Sequence, residues 1–282
     1  MSDWFREEGS GGLAGCLEST RTLYQATSDY QEIVVFENPG FGRVLALDGI
    51  VQATERDEFI YHEMLVHVPL MALSAPERVL VIGGGDGGAL REIFKHPVEQ
   101  VTMVELDPQV VEASRAHLPS LSAGAFDDPR LELLFEDGVA FVAGCDRQFD
   151  AIIVDSTDPY PAGPGQVLFS TPFYRDCSRL LRAPGVLVSQ CGTPFIYPRP
   201  FAQALSHLAE VFADTAAYLT AVPSFAGGYS VFAWASQDPG LRRPSRKTLE
   251  ARLRDRCITP GFYNAGFHRA AFANPKTLVM PD

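Results

Sequence analysis

The sequence contains no C-x-x-C pair, and its five cysteines, Cys16, Cys145, Cys177, Cys191 and Cys257, are an odd number. Free thiols in a reducing compartment fit that count better than a disulfide framework, and no motif around any of them marks a catalytic thiol. Positive charge is scarce: 23 Lys and Arg stand against 35 Asp and Glu, a net charge of −12. Affinity for a phosphate backbone comes mainly from Lys and Arg, so no nucleic-acid partner is expected. A cationic small molecule is compatible with this charge, although many acidic proteins bind none. No apolar run approaches the ~20 residues needed to span a bilayer. The opening MSDWFREEGSGG has no apolar signal region, so a cytoplasmic protein without a membrane partner is expected. Internal repeats and low-complexity tracts are lacking as well.

What is present divides in two. A chain of 282 residues can hold one large domain or two unequal ones. From Tyr30, short strands alternate with turns: YQEIVVFE, the turn NPGFG, RVLAL, the tight Asp48-Gly49 turn and IVQAT. These make a small antiparallel β domain, residues 1–56. ERDEFIYHEMLVHVPLMAL (55–73) has helical spacing at Phe59, Met64, Leu65 and Val68 and ends at a Pro-containing segment. Beyond Glu77, strands such as RVLVIG, QVTMVELD, LELLFEDG, FDAIIVDS and GVLVSQCG alternate with helices such as PQVVEASRAHL and FAQALSHLAEVFA. AAYLTAVPS and YSVFAWAS read as a terminal strand pair. Such alternation implies an α/β domain, residues 57–282, built on a doubly wound parallel sheet.

In an open α/β sheet the ligand binds at the carboxyl ends of the strands. Four successive strands end in acids here: at Gly83-Gly84-Gly85-Asp86, at Glu105, at Asp137-Gly138 and at Asp155. A single such acid is a solvated loop end more often than a ligand contact. Four converging on one crevice point to a site. Glu105, about 20 residues past the glycines, is placed to accept from two ribose hydroxyls, an arrangement shared by NAD and S-adenosylmethionine sites. Asp137 suits an adenine amino group and, equally, a turn before a helix.

Asp86 discriminates. A pyrophosphate at this helix start would meet a carboxylate, and so would the carboxylate of intact S-adenosylmethionine. Two like charges at ~4 Å cost about 4 kcal/mol at an effective dielectric of 20. The best-matched ligand is S-adenosylmethionine that has lost its carboxylate, whose tail is purely cationic. Asp155-Ser156-Thr157-Asp158-Pro159 then offers two acids three residues apart. Asp155 is the candidate base for an amine nucleophile, its pKa raised by burial and neighbouring acids. Asp158 would hold an acceptor ammonium and orient the attack.

Together these residues resemble the polyamine aminopropyltransferases, most of all the bacterial spermidine synthases. The resemblance runs from about Trp4 to near Phe272, and its strongest blocks are FGRVLALDGIVQATERDEFIYHEM, VLVIGGGDGGALRE, VELD, EDG and DSTDP. It implies a methyltransferase-like (Rossmann-like) catalytic domain behind a small N-terminal antiparallel β domain. It also implies no metal or cofactor, decarboxylated S-adenosylmethionine as a co-substrate, putrescine as acceptor, and a homodimer or homotetramer built partly through the β domain. Carried onto this chain, the donor side comprises Gln52, Gly83, Gly85, Asp86, Glu105, Asp137 and Gly138. Tyr61, His62, Asp158, Gln190 and Phe225 form the acceptor side, Asp155 is the base, and the Pro/Gly-rich segment 156–170 is a gate.

Two departures fall at the acceptor end. Family members commonly carry Pro-Thr-Tyr where this chain has Pro223-Ser224-Phe225, and the gate is lengthened by Tyr160, Pro161 and Ala162. Other acceptors (agmatine, cadaverine, spermidine) therefore stand as alternatives to putrescine. A methyltransferase using intact S-adenosylmethionine and a non-catalytic polyamine or nucleoside sensor are the more distant readings.

Overall fold

The computed structural model describes residues 3–8, 12–157, 164–194, 196 and 198–273. The chain opens with a hairpin of β1 (Asp3–Glu8) and β2 (Ala14–Ser19), followed by an antiparallel sheet of β3 (Arg21–Thr27), β4 (Glu32–Asn38), β5 (Gly42–Leu47) and β6 (Ile50–Thr54). The last three are the strands expected from the pattern. β1 to β3 were not legible, because their outward faces are exposed and polar and only alternate residues turn inward.

Helix α1 (Glu58–Ala72) follows, then the alternating part: β7 (Arg78–Gly83), α2 (Gly88–Ile93), β8 (Gln100–Glu105), α3 (Pro108–His117), α4 (Pro119–Ser122), β9 (Leu131–Phe135), α5 (Gly138–Gly144) and β10 (Phe149–Asp155). The chain continues through α6 (Thr171–Leu180), β11 (Leu181–Gln190), α7 (Pro198–Ala209), β12 (Asp214–Ala221), β13 (Tyr229–Ser236), α8 (Arg246–Asp255) and α9 (Ala265–Ala270). Seven strands pair in the order β12-β13-β11-β10-β7-β8-β9. The sheet is not wholly parallel as expected, since β13 runs antiparallel to both its neighbours. The short connection from β12 leaves no room for the crossover that a parallel neighbour would need. The terminal pair itself is where the sequence pattern put it.

Alternate side chains of each central strand enter two cores. Val79, Val81, Ala151 and Ile153 pack with α1 and α2, while Leu80, Ile82, Ile152 and Val154 pack with α5, α6 and α7. A third cluster joins the N-terminal sheet to the rest, with Ile33, Val35 and Leu45 against Val110, Leu118 and Leu121. Among the described residues no helix is long and apolar enough to cross a membrane.

Helix α1 is buried on nearly every side and does not stop at its proline: it passes through Pro69 and ends at Ala72. Its terminal carbonyls, which have no partner within the helix, are taken by two arginines. Arg252 donates to Met71 and Ala72, and Arg256 to Leu70, Leu73 and Ser74. Glu63, buried in the same helix, accepts backbone N–H groups of Gly261, Phe262 and Tyr263 at 2.7, 2.8 and 2.7 Å. It ties the C-terminal segment to the core. Glu63→Ala removes the acceptor of three backbone N–H groups, that of Tyr263 buried, and is expected to lower unfolding stability by about 2 kcal/mol. Glu63→Gln, which keeps an acceptor oxygen, should cost clearly less. Urea unfolding of the two variants checks this, and equal midpoints would contradict the assignment.

Candidate active site

Strand register assembles the site. Asp155 pairs with Gly83 across β10 and β7, and Val104 pairs with Ile82 across β8 and β7, which brings Asp155, Gly83 and Glu105 level at one edge. Gly83 has φ +82°, and a Cβ there would fall 2.3 Å from the Asp155 carbonyl oxygen. Only glycine lets the chain turn this close to the neighbouring strand. Gly85 is required by contact, not by conformation: its Cβ would sit 2.8 Å from a Val110 methyl and 3.0 Å from a Glu105 carboxylate oxygen.

Above these strand ends lies a cavity of about 340 Å³. Its wall includes Gln52, Tyr61, Gly83, Gly85, Asp86 and Glu105, together with Asp137, Gly138, Asp155, Gln190 and Phe225. All but two of the residues singled out from the sequence therefore meet in one place. His62 is the first exception. It is 1% exposed and lies beneath the glycine loop, behind Asp86 and outside the cavity wall. Helix periodicity explains the difference, since adjacent residues on α1 point about 100° apart and Tyr61 takes the cavity side. Asp158 is the second, because it lies outside the described residues, as do Tyr160, Pro161 and Ala162.

Each acid has its own environment. Glu105 is 8% exposed and accepts from Asp107 N at 3.0 Å. Burial pushes its carboxyl up to about 7, against the pull of the backbone N–H groups of Asp107 and Leu106. Asp155 accepts from the Tyr61 hydroxyl at 2.6 Å. Burial raises it to about 6; the charge of His62 opposes that rise and Asp86 adds to it.

Asp86 accepts from Gly88 N at 2.7 Å and has His62 Nε2 3.4 Å from its other oxygen. Burial works to raise its pKa, but the charge and proximity of His62 outweigh that and leave it below the usual carboxylate range. Asp86 is therefore not the bare charge assumed in the sequence argument. Asp137 does what its turn position allows: one oxygen caps α5 through Val139 and Ala140 N, while the residue still lines the cavity.

At the other end, Gln190 donates to the Ser156 carbonyl at 2.5 Å and accepts from Gly192 N at 2.8 Å, bracing the strand end. Phe225 packs edge-on to Tyr61, with ring centroids 5.8 Å apart. Its neighbour Ser224 gives both its N–H and its hydroxyl to buried Asp57, at 2.8 and 2.9 Å. Several wall residues were not foreseen, among them Glu7, Tyr30, Gln31 and Ser230. Glu7 had a signal: it shares the inward face of β1 with Phe5 at period two.

The spermine/spermidine synthase domain matches residues 58–244, and the spermidine synthase tetramerisation domain matches residues 3–55. The chain belongs to the spermine/spermidine synthase family. A polyamine aminopropyltransferase of Sodalis glossinidius is 50% identical over 258 residues, covering 91% of this chain and 89% of the relative. Polyamine aminopropyltransferase 1 of Pseudomonas aeruginosa is 51% identical over 259 residues, covering 92% and 90%. Among solved structures, a spermidine synthase in complex with the transition-state analogue AdoDATO superposes with a TM-score of 0.91 at 39% identity, covering 98% of this chain and 94% of that one. The spermidine synthase of Thermotoga maritima gives 0.88 at 37% identity, again covering 98% and 94%. The fold is the methyltransferase-like α/β fold of these enzymes, with small antiparallel β sheets at the N-terminus.

The Glu105 environment generates a test. Ribose hydroxyls donate best to an ionised carboxylate, so a nucleoside that binds there must first expel a proton below about pH 7. Affinity for 5′-methylthioadenosine is expected to rise by up to about tenfold from roughly pH 6 to 8. Glu105→Gln should bind more weakly with a flat profile in calorimetric titration. A wild-type profile that is already flat would remove Glu105 from the nucleoside contact.

Proposed function

We propose that the protein transfers an aminopropyl group from decarboxylated S-adenosylmethionine to putrescine, giving spermidine and 5′-methylthioadenosine. The observation that carries this reading is the unlike pair Asp86 and Asp155. One buried carboxyl is held ionised, and its neighbour titrates at about 6. A cationic donor tail needs the first, and an ammonium acceptor that must lose a proton needs the second.

The transfer balances with the two substrates alone. The acceptor nitrogen gives a proton to Asp155 and attacks the methylene bound to the sulfonium. A carbon–nitrogen bond forms as the carbon–sulfur bond breaks. The bonding pair passes to sulfur, which leaves as a neutral thioether. Tyr61, donating to Asp155 at 2.6 Å, fixes which carboxylate oxygen faces the acceptor. Glu105, Asp137 and Gln52 are assigned to the nucleoside, and Asp86 to the aminopropyl ammonium. Gln190, Phe225 and Asp158 are assigned to the acceptor end. The match to a tetramerisation domain over residues 3–55 supports a homodimer or homotetramer.

Phe225 favours one alternative at this end. A phenyl ring offers the acceptor no hydroxyl, so an amine other than putrescine, such as cadaverine or agmatine, fits the same reaction with a different partner.

The deciding measurement is an acceptor panel with putrescine, cadaverine, 1,3-diaminopropane, agmatine and spermidine, following methylthioadenosine release. Putrescine is expected to have the highest kcat/KM. If another amine leads, the acceptor reading changes and the donor reading stands. No release with any amine would overturn both. Asp155→Asn is expected to cut kcat by about 10³-fold with donor affinity nearly unchanged, and unaltered turnover would sink its role as base.

A further inference from the structure

A row of alternating charges runs under the glycine loop and ends at the cavity. Arg91 on α2 grips Glu58 through Nη1 to Oε1 at 2.7 Å and Nη2 to Oε2 at 2.8 Å. Glu58 Oε2 lies 2.6 Å from His62 Nδ1, and Asp86 Oδ2 lies 3.4 Å from His62 Nε2. The His62 side chain is 2% exposed, Glu58 7% and Asp86 12%, so water does little to screen them.

A neutral imidazole carries one N–H and sets a lone pair at its other nitrogen. With a carboxylate at each nitrogen, the form that fits is the imidazolium, hydrogen-bonded to Glu58 and ion-paired with Asp86. The ring has no room to turn away from either partner. A Cβ added at Gly88 would fall 2.3 Å from His62 Cε1, so the start of α2 is packed directly on it. The charged or titratable groups around His62 are Glu58 and Tyr61 on α1, Asp86 in the loop, Arg91 behind Glu58, and Asp155 at the end of β10.

The geometry points to Glu58 and His62 as positioning residues that hold a fixed positive charge behind Asp86, keeping that carboxylate ionised while Asp155 remains the carboxyl that takes up a proton. Glu58 acts only through His62, and Arg91 keeps Glu58 in its ionised form. The kinetic consequence rests on the aminopropyl-transfer reading. The charge on His62 does not.

The test has two arms. In Glu58→Gln the imidazolium loses its anionic partner, so Asp86 and Asp155 lose the cation beside them and titrate at higher pH. The acid limb of kcat/KM is then expected to move up by about 1 pH unit, with activity recovering toward wild type at alkaline pH and the KM for the donor raised. Glu58→Asp, which keeps the charge on a shorter arm, should restore part of the profile. A uniform loss of kcat at every pH, with the acid limb unmoved, would overturn the role. The second arm is ¹⁵N NMR of the histidine rings in the wild-type protein without ligand. Both His62 nitrogens are expected to carry protons near neutral pH. A single protonated nitrogen refutes the fixed charge, and this spectrum decides that point whatever the reaction proves to be.

Discussion

Helix α1 brings ionisable side chains into a place with almost no water, and the surrounding structure has to answer them. Glu58, His62, Glu63 and His67 are each less than a tenth exposed. An unpaired charge there would cost several kcal/mol, so each finds a partner from a distant part of the chain. Glu58 takes Arg91, His62 takes Asp86, and Glu63 takes three N–H groups near residue 262. The helix end takes two arginines from α8 and the residue after it. In this way one buried helix fixes the glycine loop, the start of α2 and the C-terminal segment with respect to each other. The site is a by-product of that arrangement: Asp155 meets the helix at Tyr61 and Asp86 meets it at His62.

The same burial sorts the acids. Glu105, Asp86 and Asp155 share one cavity, yet burial alone would push all three toward the neutral form. What separates them is the distance to His62. Asp86 is beside it and stays ionised, Asp155 is farther and is raised to about 6, and Glu105, left to backbone N–H groups, is raised to about 7. Three carboxyls of similar intrinsic acidity thus titrate in different ranges.

Much of this was legible before any coordinates. The acids at strand ends converge because side chains at equivalent strand positions must lie level in a parallel sheet, and that is a matter of sequence period. The glycine loop and Asp155 were readable for the same reason. Illegible were contacts set by packing between distant segments. His62 was placed at the cleft by the resemblance alone, and only the rotation of α1 shows it facing Asp86 from outside the cavity wall. Arg91 gave no signal, since an arginine on a short helix is ordinarily a solvated one. β13 runs backwards in the sheet, and no composition betrays strand direction. Helix α8 escaped because its surface is mostly polar, and α9 because six residues are too few to show a helical period.

Asp57 deserves a last look for what hangs on it. One buried carboxylate, itself held by the Thr54 hydroxyl at 2.6 Å, carries the Pro223–Phe225 turn through two bonds from Ser224. The half of the cavity around Gly83, Glu105 and Asp155 is cut into the sheet, where any change disturbs the core. The wall around Phe225 is instead hung from the start of α1, through Asp57 and through packing on Tyr61. Such a wall can be exchanged like a cassette, with its side chains altered while Ser224 and Asp57 keep their grip. A tyrosine-to-phenylalanine difference at residue 225 is the kind of change this construction tolerates, because the grip of Asp57 on Ser224 does not pass through that side chain.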